Sequence, residues 1–256
     1  MTLRFSTFAI VCPLVFLAGL VDSIGGGGGL ISIPAYLLAG VPAHLAVGTN
    51  KLSSSLGTAV AASRYTRKKL VVWKAALPSA AAALVGSYAG ANLSMLVSEK
   101  VISILVFIIV PAASLVVFDK KLFKERELNP PAGSRVIAVC SISALLIGAY
   151  DGFYGPGTGT FLIIAFNAIA RLRMDTSNAN AKIVNLTSNI VSLCVFLTSG
   201  QVIVALGLAA AACNMIGNYI GAGLAVKNGS RIVKPVIAAV LGLLLVRLVL
   251  ESTGVI

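Results

Sequence analysis

The chain has 256 residues, of which 58% are hydrophobic and only 11% are charged, and its mean hydropathy is +0.98. A soluble domain of this length needs far more polar surface, so the composition excludes soluble globular proteins and predicts a polytopic membrane protein. The formal net charge of +12 does not indicate a nucleic-acid partner, because the basic residues lie in short connecting segments and form no basic stripe.

In chain order, the sequence reads as two series of apolar segments. Each series has a first segment, a glycine-rich break, a short second segment and three longer spans. The segments are 5–21, 30–41, 43–63, 71–97 and 101–118, and then 135–150, 160–170, 176–198, 202–226 and 232–250. The first two segments of each series are shorter than the ~20 residues of a full crossing. We therefore expect each pair to form a broken hairpin that is partly re-entrant.

A polar connector at 119–134 separates the two series. Its Pro130-Pro131 pair and its basic residues are typical of a boundary between units. It divides the chain into a first repeat at 1–118 and a second repeat at 135–256. The basic residues also place the connector in the cytoplasm.

The two series are copies of one another at a spacing of 131 residues. At this spacing Val85–Leu93 aligns with Ile216–Leu224, and Lys51 aligns with Lys182. The chain is therefore predicted to be an all-α membrane protein built from two repeats.

Loop charges indicate that the two repeats are inverted with respect to the membrane. The basic segment Arg64–Lys69 aligns with the uncharged Thr198–Gln201, while the basic Arg171 and Arg173 align with the Val41–His44 loop, which has no Lys or Arg. Since Lys and Arg concentrate in cytoplasmic loops, equivalent loops lie on opposite sides. Each repeat then makes an odd number of crossings.

Both lysines fall within long apolar segments, where a charge costs about 3 kcal/mol or more and indicates a functional site. Each begins a polar stripe along one helix face. The stripes are Lys51, Ser54 and Thr58 in one repeat, and Lys182, Asn185 and Asn189 in the other. A cation flanked by hydroxyl and amide donors suits a small oxyanion. The alternative is that the lysines extend to the lipid headgroups.

The glycine-rich breaks, Gly25–Gly29 and Gly155–Gly159, are predicted to lie near the transport pathway. Alternatively, these glycines only allow close helix packing. Asp22 and Asp151 come just before the breaks. Three roles remain open for them: they carry protons, pair with the lysines, or cap the short helix that follows.

No enzyme motif is present: the chain has no H-E-x-x-H, no G-x-S-x-G and no histidine within a span to act as a base. His44, the single histidine, falls in a predicted external loop and has no assigned role. No metal or other cofactor is implied.

Taken together, these segments resemble the TauE/SafE family of membrane transporters, also called sulfite exporters or 4-toluene sulfonate uptake permeases. The matching stretches are Gly25–Pro34, Gly40–Pro42, Ala46–Asn50, Asp151–Gly159 and Ala181–Asn189. The resemblance implies transport of sulfur-containing anions such as sulfite, sulfoacetate or organosulfonates across a bacterial plasma membrane. Where many members end the second motif with Gly-Thr, this chain has a Lys/Asn version.

The sequence therefore predicts a secondary transporter of a small anion that works by alternating access, with proton coupling as an option and with lipid as its other partner. The rival interpretations are an anion channel and a membrane-embedded enzyme or assembly factor. The predicted substrate-binding residues are Lys51, Lys182, Asn50, Ser54, Thr58, Asn185, Asn189, Gly27, Gly29, Gly157 and Gly159, and the candidates for proton coupling are Asp22 and Asp151.

Overall fold

The computed structural model describes residues 4–97 and 132–252, which form nine α-helices. The helices are α1 Phe5–Gly25, α2 Gly29–Leu38, α3 Ala43–Arg67, α4 Trp73–Leu96, α5 Ser134–Phe153, α6 Thr158–Ile164, α7 Met174–Thr198, α8 Val204–Asn228 and α9 Ser230–Ser252. A π-helical turn, Ala165–Ile169, continues α6. The predicted span 101–118 and the connector up to residue 131 lie outside the described residues.

The first helix of each repeat is longer than the sequence indicates. With 21 and 20 residues, α1 and α5 are long and apolar enough to cross a membrane, so the expectation that they are too short is wrong. The polar residues that suggested an earlier end are accommodated inside the helices: Ser23 donates to the Leu20 carbonyl, and the Asp22 and Asp151 carboxylates are paired. Only the second helices, α2 and α6, are short.

Within the described residues, four helices have the length and hydropathy of membrane spans, namely α1, α5, α7 and α8. The helices α3 and α4 are as long, at 25 and 24 residues, but their mean hydropathy is lower. The fold is thus that of a multi-pass helical membrane protein, with its most polar long helix, α3, inside it.

The equivalent helices α3 and α7 lie side by side and run antiparallel. Near the start of α3, Gly48 packs against Phe196 near the end of α7. Near the end of α3, the Tyr65 hydroxyl is 2.9 Å from the Asn178 side-chain nitrogen near the start of α7. These two helices, which align at the 131-residue spacing, therefore point in opposite directions.

The first helix of each repeat packs against the fourth helix of the other repeat, α1 on α8 and α5 on α4. Glycines of α4 and α8 make both contacts, and a Cβ at any of them would collide with the backbone of the partner helix, as expected where small residues allow close approach. The contacts join Gly86 to Leu145, Gly90 to Ala149, Gly217 to Phe16 and Gly221 to Leu20. The same glycine pair thus recurs at the 131-residue spacing.

As a result, the helices associate in two groups that differ from the two sequence repeats. Group A contains α1, α2, α3 and α8, and group B contains α4, α5, α6 and α7. Between the groups, the main contact is α3 against α7, with smaller contacts at the glycine breaks. Each group therefore takes three helices from one repeat and the fourth helix from the other.

Basic residues gather at one end of the helix bundle, the basic end. The helices α3 and α8 run parallel and both end here. The helix α7 is antiparallel to α3 and begins here, as do α4, α5 and α9. The residues are Arg64, Arg67, Lys68, Lys69, Lys74, Arg135, Arg171, Arg173, Lys227, Arg231 and Lys234. The described residues away from this end include Arg4, just before α1, and Arg247, near the end of α9.

Candidate substrate site

The two glycine breaks meet at the centre of the fold. The Gly26 backbone lies against Gly159 and Thr160, and Gly29 lies against Pro156. Gly26 has a φ of 79° and a ψ of −174°, a backbone conformation that is essentially limited to glycine. Both breaks therefore require glycine, because the two backbones approach too closely for a Cβ.

The carbonyl groups at the end of α1 are satisfied by side chains of other helices. The Asn178 amide donates to the Ser23 and Ile24 carbonyls at 3.2 and 2.8 Å, and the Tyr65 hydroxyl donates to Ser23 at 2.7 Å. Thr160 donates to the Gly25 carbonyl at 2.8 Å. Free carbonyls at membrane depth would each cost several kcal/mol, so these bonds make the break possible there.

Both buried lysines pair with aspartates of the other repeat. The Lys51 ammonium lies 3.0 Å from the Asp151 carboxylate and donates to the Asp151 carbonyl at 2.7 Å. The Lys182 ammonium lies 2.8 Å from the Asp22 carboxylate. The lysines are 2% and 0% exposed, which excludes extension to the headgroups. Both ion pairs also connect helix group A with helix group B.

Of the three roles left open for the aspartates, pairing with the lysines is therefore the arrangement present in this structure. Asp22 also accepts a hydrogen bond from the Gly28 amide at 3.4 Å, at the position just before α2. Pairing and capping thus coexist at Asp22.

A polar cavity lies where the breaks meet the α3 and α7 stripes. Its free volume is ≈ 30 Å³, which is room for about two water molecules, so this conformation is closed around the site. The predicted residues that line it are Asn50, Lys51, Ser54, Thr58, Asn185, Asn189, Gly27, Gly29, Gly157 and Gly159, together with Asp22 and Asp151. Lys182 is not among the lining residues, because it lies behind Asp22.

Several polar groups of the cavity bond weakly to one another. The Asn189 carbonyl oxygen is 3.3 Å from the Lys51 ammonium, and its amide donates to Asn185 at 3.3 Å. Ser54 donates to Asn50 at 3.4 Å. These bonds are longer than the usual optimum, so the donors are available to turn toward a ligand.

Sequence reasoning missed two lining residues, Tyr154 and Asn214. Three others, Gly28, Gly155 and Thr158, lie within the predicted glycine-rich breaks but were not named individually. Asn214 lies on α8, and Ala83 holds the equivalent position in the first repeat. The signal was present, because a buried asparagine in an apolar helix is itself costly and points to a polar contact. The cavity lining therefore includes an asparagine from α8 of the second repeat, whereas α4 of the first repeat has an alanine at the equivalent position.

Comparison with known proteins is consistent with the membrane fold. The family model for sulfite exporter TauE/SafE matches residues 11–248. The chain is 33% identical over 251 residues to the probable membrane transporter protein ORF9 of a Sinorhizobium species, covering 98% of this chain and 95% of that protein. It is 32% identical over 259 residues to the probable membrane transporter protein YfcA of Escherichia coli K12, again covering 98% and 95%. No solved structure matches at a significant level.

Proposed function

The chain belongs to the sulfite exporter TauE/SafE family of membrane transporters, and we propose that it moves a small sulfur-containing oxyanion or organosulfonate by alternating access. The observation that carries the proposal is the polar cavity, where Lys51 and a set of hydroxyl and amide groups converge between two helix groups. Its bacterial relatives favour a location in the inner membrane.

Binding proceeds by exchange of one anion for another on Lys51. In the closed conformation the Asp151 carboxylate forms an ion pair with the Lys51 ammonium. With the second pair, between Lys182 and Asp22, the formal charges of the four side chains sum to zero. A sulfite or sulfonate oxygen replaces the Asp151 carboxylate, and Thr58, Asn185 and Asn189 direct hydrogen bonds to its other oxygens. The cavity has to widen for this step, because it now holds only water-sized space.

Alternating access follows from the position of the cavity between the groups. Group A supplies the α3 stripe and group B supplies Asn185 and Asn189 of α7. Rocking of one group against the other opens the cavity to one side of the membrane at a time. The two ion pairs cross this boundary and hold the closed form.

Proton coupling accounts for the carboxylate that the substrate displaces. Once removed from Lys51, a buried Asp151 without a partner is strongly unfavourable as an anion and takes up a proton instead. Each anion then travels together with one proton. Asp22 is the second candidate for this role. It lines the cavity, whereas its partner Lys182 does not.

An inverted topology is supported by the antiparallel α3 and α7 and by the collection of Lys and Arg at one end. The basic end, with the connector 119–134, is proposed to face the cytoplasm. In a variant without native cysteines, Lys69→Cys is expected to react with a membrane-impermeant thiol reagent only after the cells are opened. Ser199→Cys, between α7 and α8, is expected to react in intact cells. Labelling of both from the same side would rule out the inversion.

The function is tested in proteoliposomes with labelled sulfite, thiosulfate and methanesulfonate, with and without a pH gradient. We expect accumulation of at least one anion above its external concentration, driven by the gradient. Passive equilibration alone would identify an anion channel. Absence of any flux of these anions in the proteoliposomes would favour a membrane-embedded enzyme or assembly factor.

A further inference from the structure

A chain of buried hydroxyl groups leads away from Asp151. Ser188 of α7 donates to the outer carboxylate oxygen of Asp151, the one that does not contact Lys51. The Ser188 hydroxyl oxygen is 3.4 Å from that of Ser87 on α4, which is 2.8 Å from that of Ser192 on α7. All three serines are fully buried. Three hydroxyls from two helices thus connect to one carboxylate.

The hydroxyl chain points toward the end of the bundle opposite the basic end. Ser192 lies one helical turn beyond Ser188 in the direction of Thr198, where α7 ends. Six further residues separate Ser192 from that end, or about 9 Å along the helix. The hydroxyl chain therefore runs from Asp151 toward this side and stops about 9 Å before the end of α7.

Within the residues that the structure describes, the other repeat has no such series of hydroxyls, although the lysine, the aspartate and the glycine break are duplicated. At the 131-residue spacing, Ser188 and Ser192 correspond to Gly57 and Ala61, and Ser87 corresponds to Asn218. The Asn218 amide donates to the carbonyl groups of Asn214 within its own helix. Buried serine hydroxyls are therefore linked to Asp151, whereas the equivalent positions near Asp22 have none. If the serines served only to pack the helices, we would expect them in both repeats.

We propose that Ser188, Ser87 and Ser192 form a proton relay that serves Asp151, which makes Asp151 rather than Asp22 the coupling carboxylate; this rests on the proposed function. A hydroxyl can accept a proton on its oxygen while it donates its own. When Ser192 takes up a proton, it passes its own to Ser87, Ser87 passes one to Ser188, and Ser188 delivers one to Asp151. No covalent bond between heavy atoms changes. The proton comes from water at the non-basic end and returns to water on the other side with the substrate.

The charged groups around Asp151 fit this assignment. Lys51 of α3 contacts one carboxylate oxygen, Ser188 of α7 contacts the other, and the α4 contact to the relay is Ser87. When an anion takes Lys51, the oxygen facing Ser188 is already in contact with a hydroxyl donor. The step between Ser87 and Ser188 is the longest, at 3.4 Å. The Ser87 hydroxyl donates to the Ser188 backbone carbonyl at 2.8 Å and has to turn to the Ser188 hydroxyl oxygen for transfer, so this step is limiting.

The test separates proton-coupled accumulation from simple exchange. In proteoliposomes, substrate exchange across the membrane needs no net release of the proton, whereas accumulation driven by a pH gradient does. We expect Ser192→Ala to lower gradient-driven accumulation of labelled sulfite, thiosulfate or methanesulfonate by about tenfold or more, and to leave exchange unchanged. Ser192→Thr retains a hydroxyl and is expected to restore accumulation. A pH-sensitive dye inside the vesicles reports the accompanying proton.

Ser79→Ala is the matched control, since Ser79 is a fully buried serine of α4 whose hydroxyl donates to the Ala75 carbonyl. It is expected to change neither flux. Equal losses of exchange and accumulation in Ser192→Ala would show a structural role and overturn the relay, as would wild-type accumulation. If the wild-type protein accumulates an anion without moving protons, the relay and the proton coupling fail while anion transport stands.

Discussion

Replacing both Lys51 and Asp151 by alanine is expected to leave a folded protein that binds and transports its anion about 10- to 100-fold less well, the effect of losing a charge-assisted hydrogen bond. The single change Lys51→Ala is a poorer test. It leaves a buried carboxylate without its partner, which destabilises a protein by about 3–5 kcal/mol. The double change removes both charges, so neither is left buried without its partner.

The second ion pair supplies the matched control. Lys182→Ala combined with Asp22→Ala also removes one buried pair between the helix groups, but Lys182 is outside the cavity lining. We expect this variant to keep the wild-type affinity for the anion, measured as the half-saturating concentration for uptake, and to change only the maximal rate. Wild-type affinity in the Lys51 variant would show that the first pair only holds the fold together.

The duplicated features of the site could be predicted from the sequence, because repetition makes them visible. Lys51 and Lys182 aligned at one spacing, and the stripes beside them aligned as well. Nearly all the residues chosen on that basis line the cavity. The antiparallel arrangement of α3 and α7 is likewise in line with the loop charges. The spacing of polar residues indicates which face of a helix is polar, and loop charge indicates the direction of the helix. Both can be read from one helix at a time.

Features that depend on contacts between the repeats could not be predicted. Lys51 was equally compatible with Asp22 and with Asp151, and the choice of Asp151 follows only from how α5 packs on α4 and α7. Lys182 has the same sequence signal as Lys51 but lies behind Asp22. Asn178 and Thr160 are single polar residues without a counterpart pattern, and their role appears only where they reach the end of α1.

The ends of α1 and α5 show a related limit. A run such as Asp22-Ser23 next to glycines reads as the end of an apolar helix, since carboxylates and hydroxyls are unfavourable in lipid. Both residues are in fact bonded inside the fold, so the helix continues to Gly25. The glycines, by contrast, break the helix where the sequence indicates, because their conformation is local.

The substitution Gly26→Ala is expected to prevent correct assembly of the transporter. Its Cβ would collide with the backbone of Gly159 and Thr160, and neither can rotate away. The backbone conformation of Gly26, with φ 79° and ψ −174°, adds about 1–3 kcal/mol of strain for a residue with a side chain. Because the two breaks form the cavity together, we expect little monodisperse protein in detergent and a large loss of thermal stability in any fraction recovered.

Gly40→Ala is the control that separates strain from collision. Gly40 has the same φ of 79°, but a Cβ there would meet nothing within 4 Å. We expect it to lose about 1–2 kcal/mol, a fall in Tm of about 2–8 °C for a chain of this size. If the two variants unfold at the same temperature, backbone strain alone explains both, and the breaks do not pack against each other. A much lower Tm for Gly26→Ala requires the close contact between the repeats on which the cavity depends.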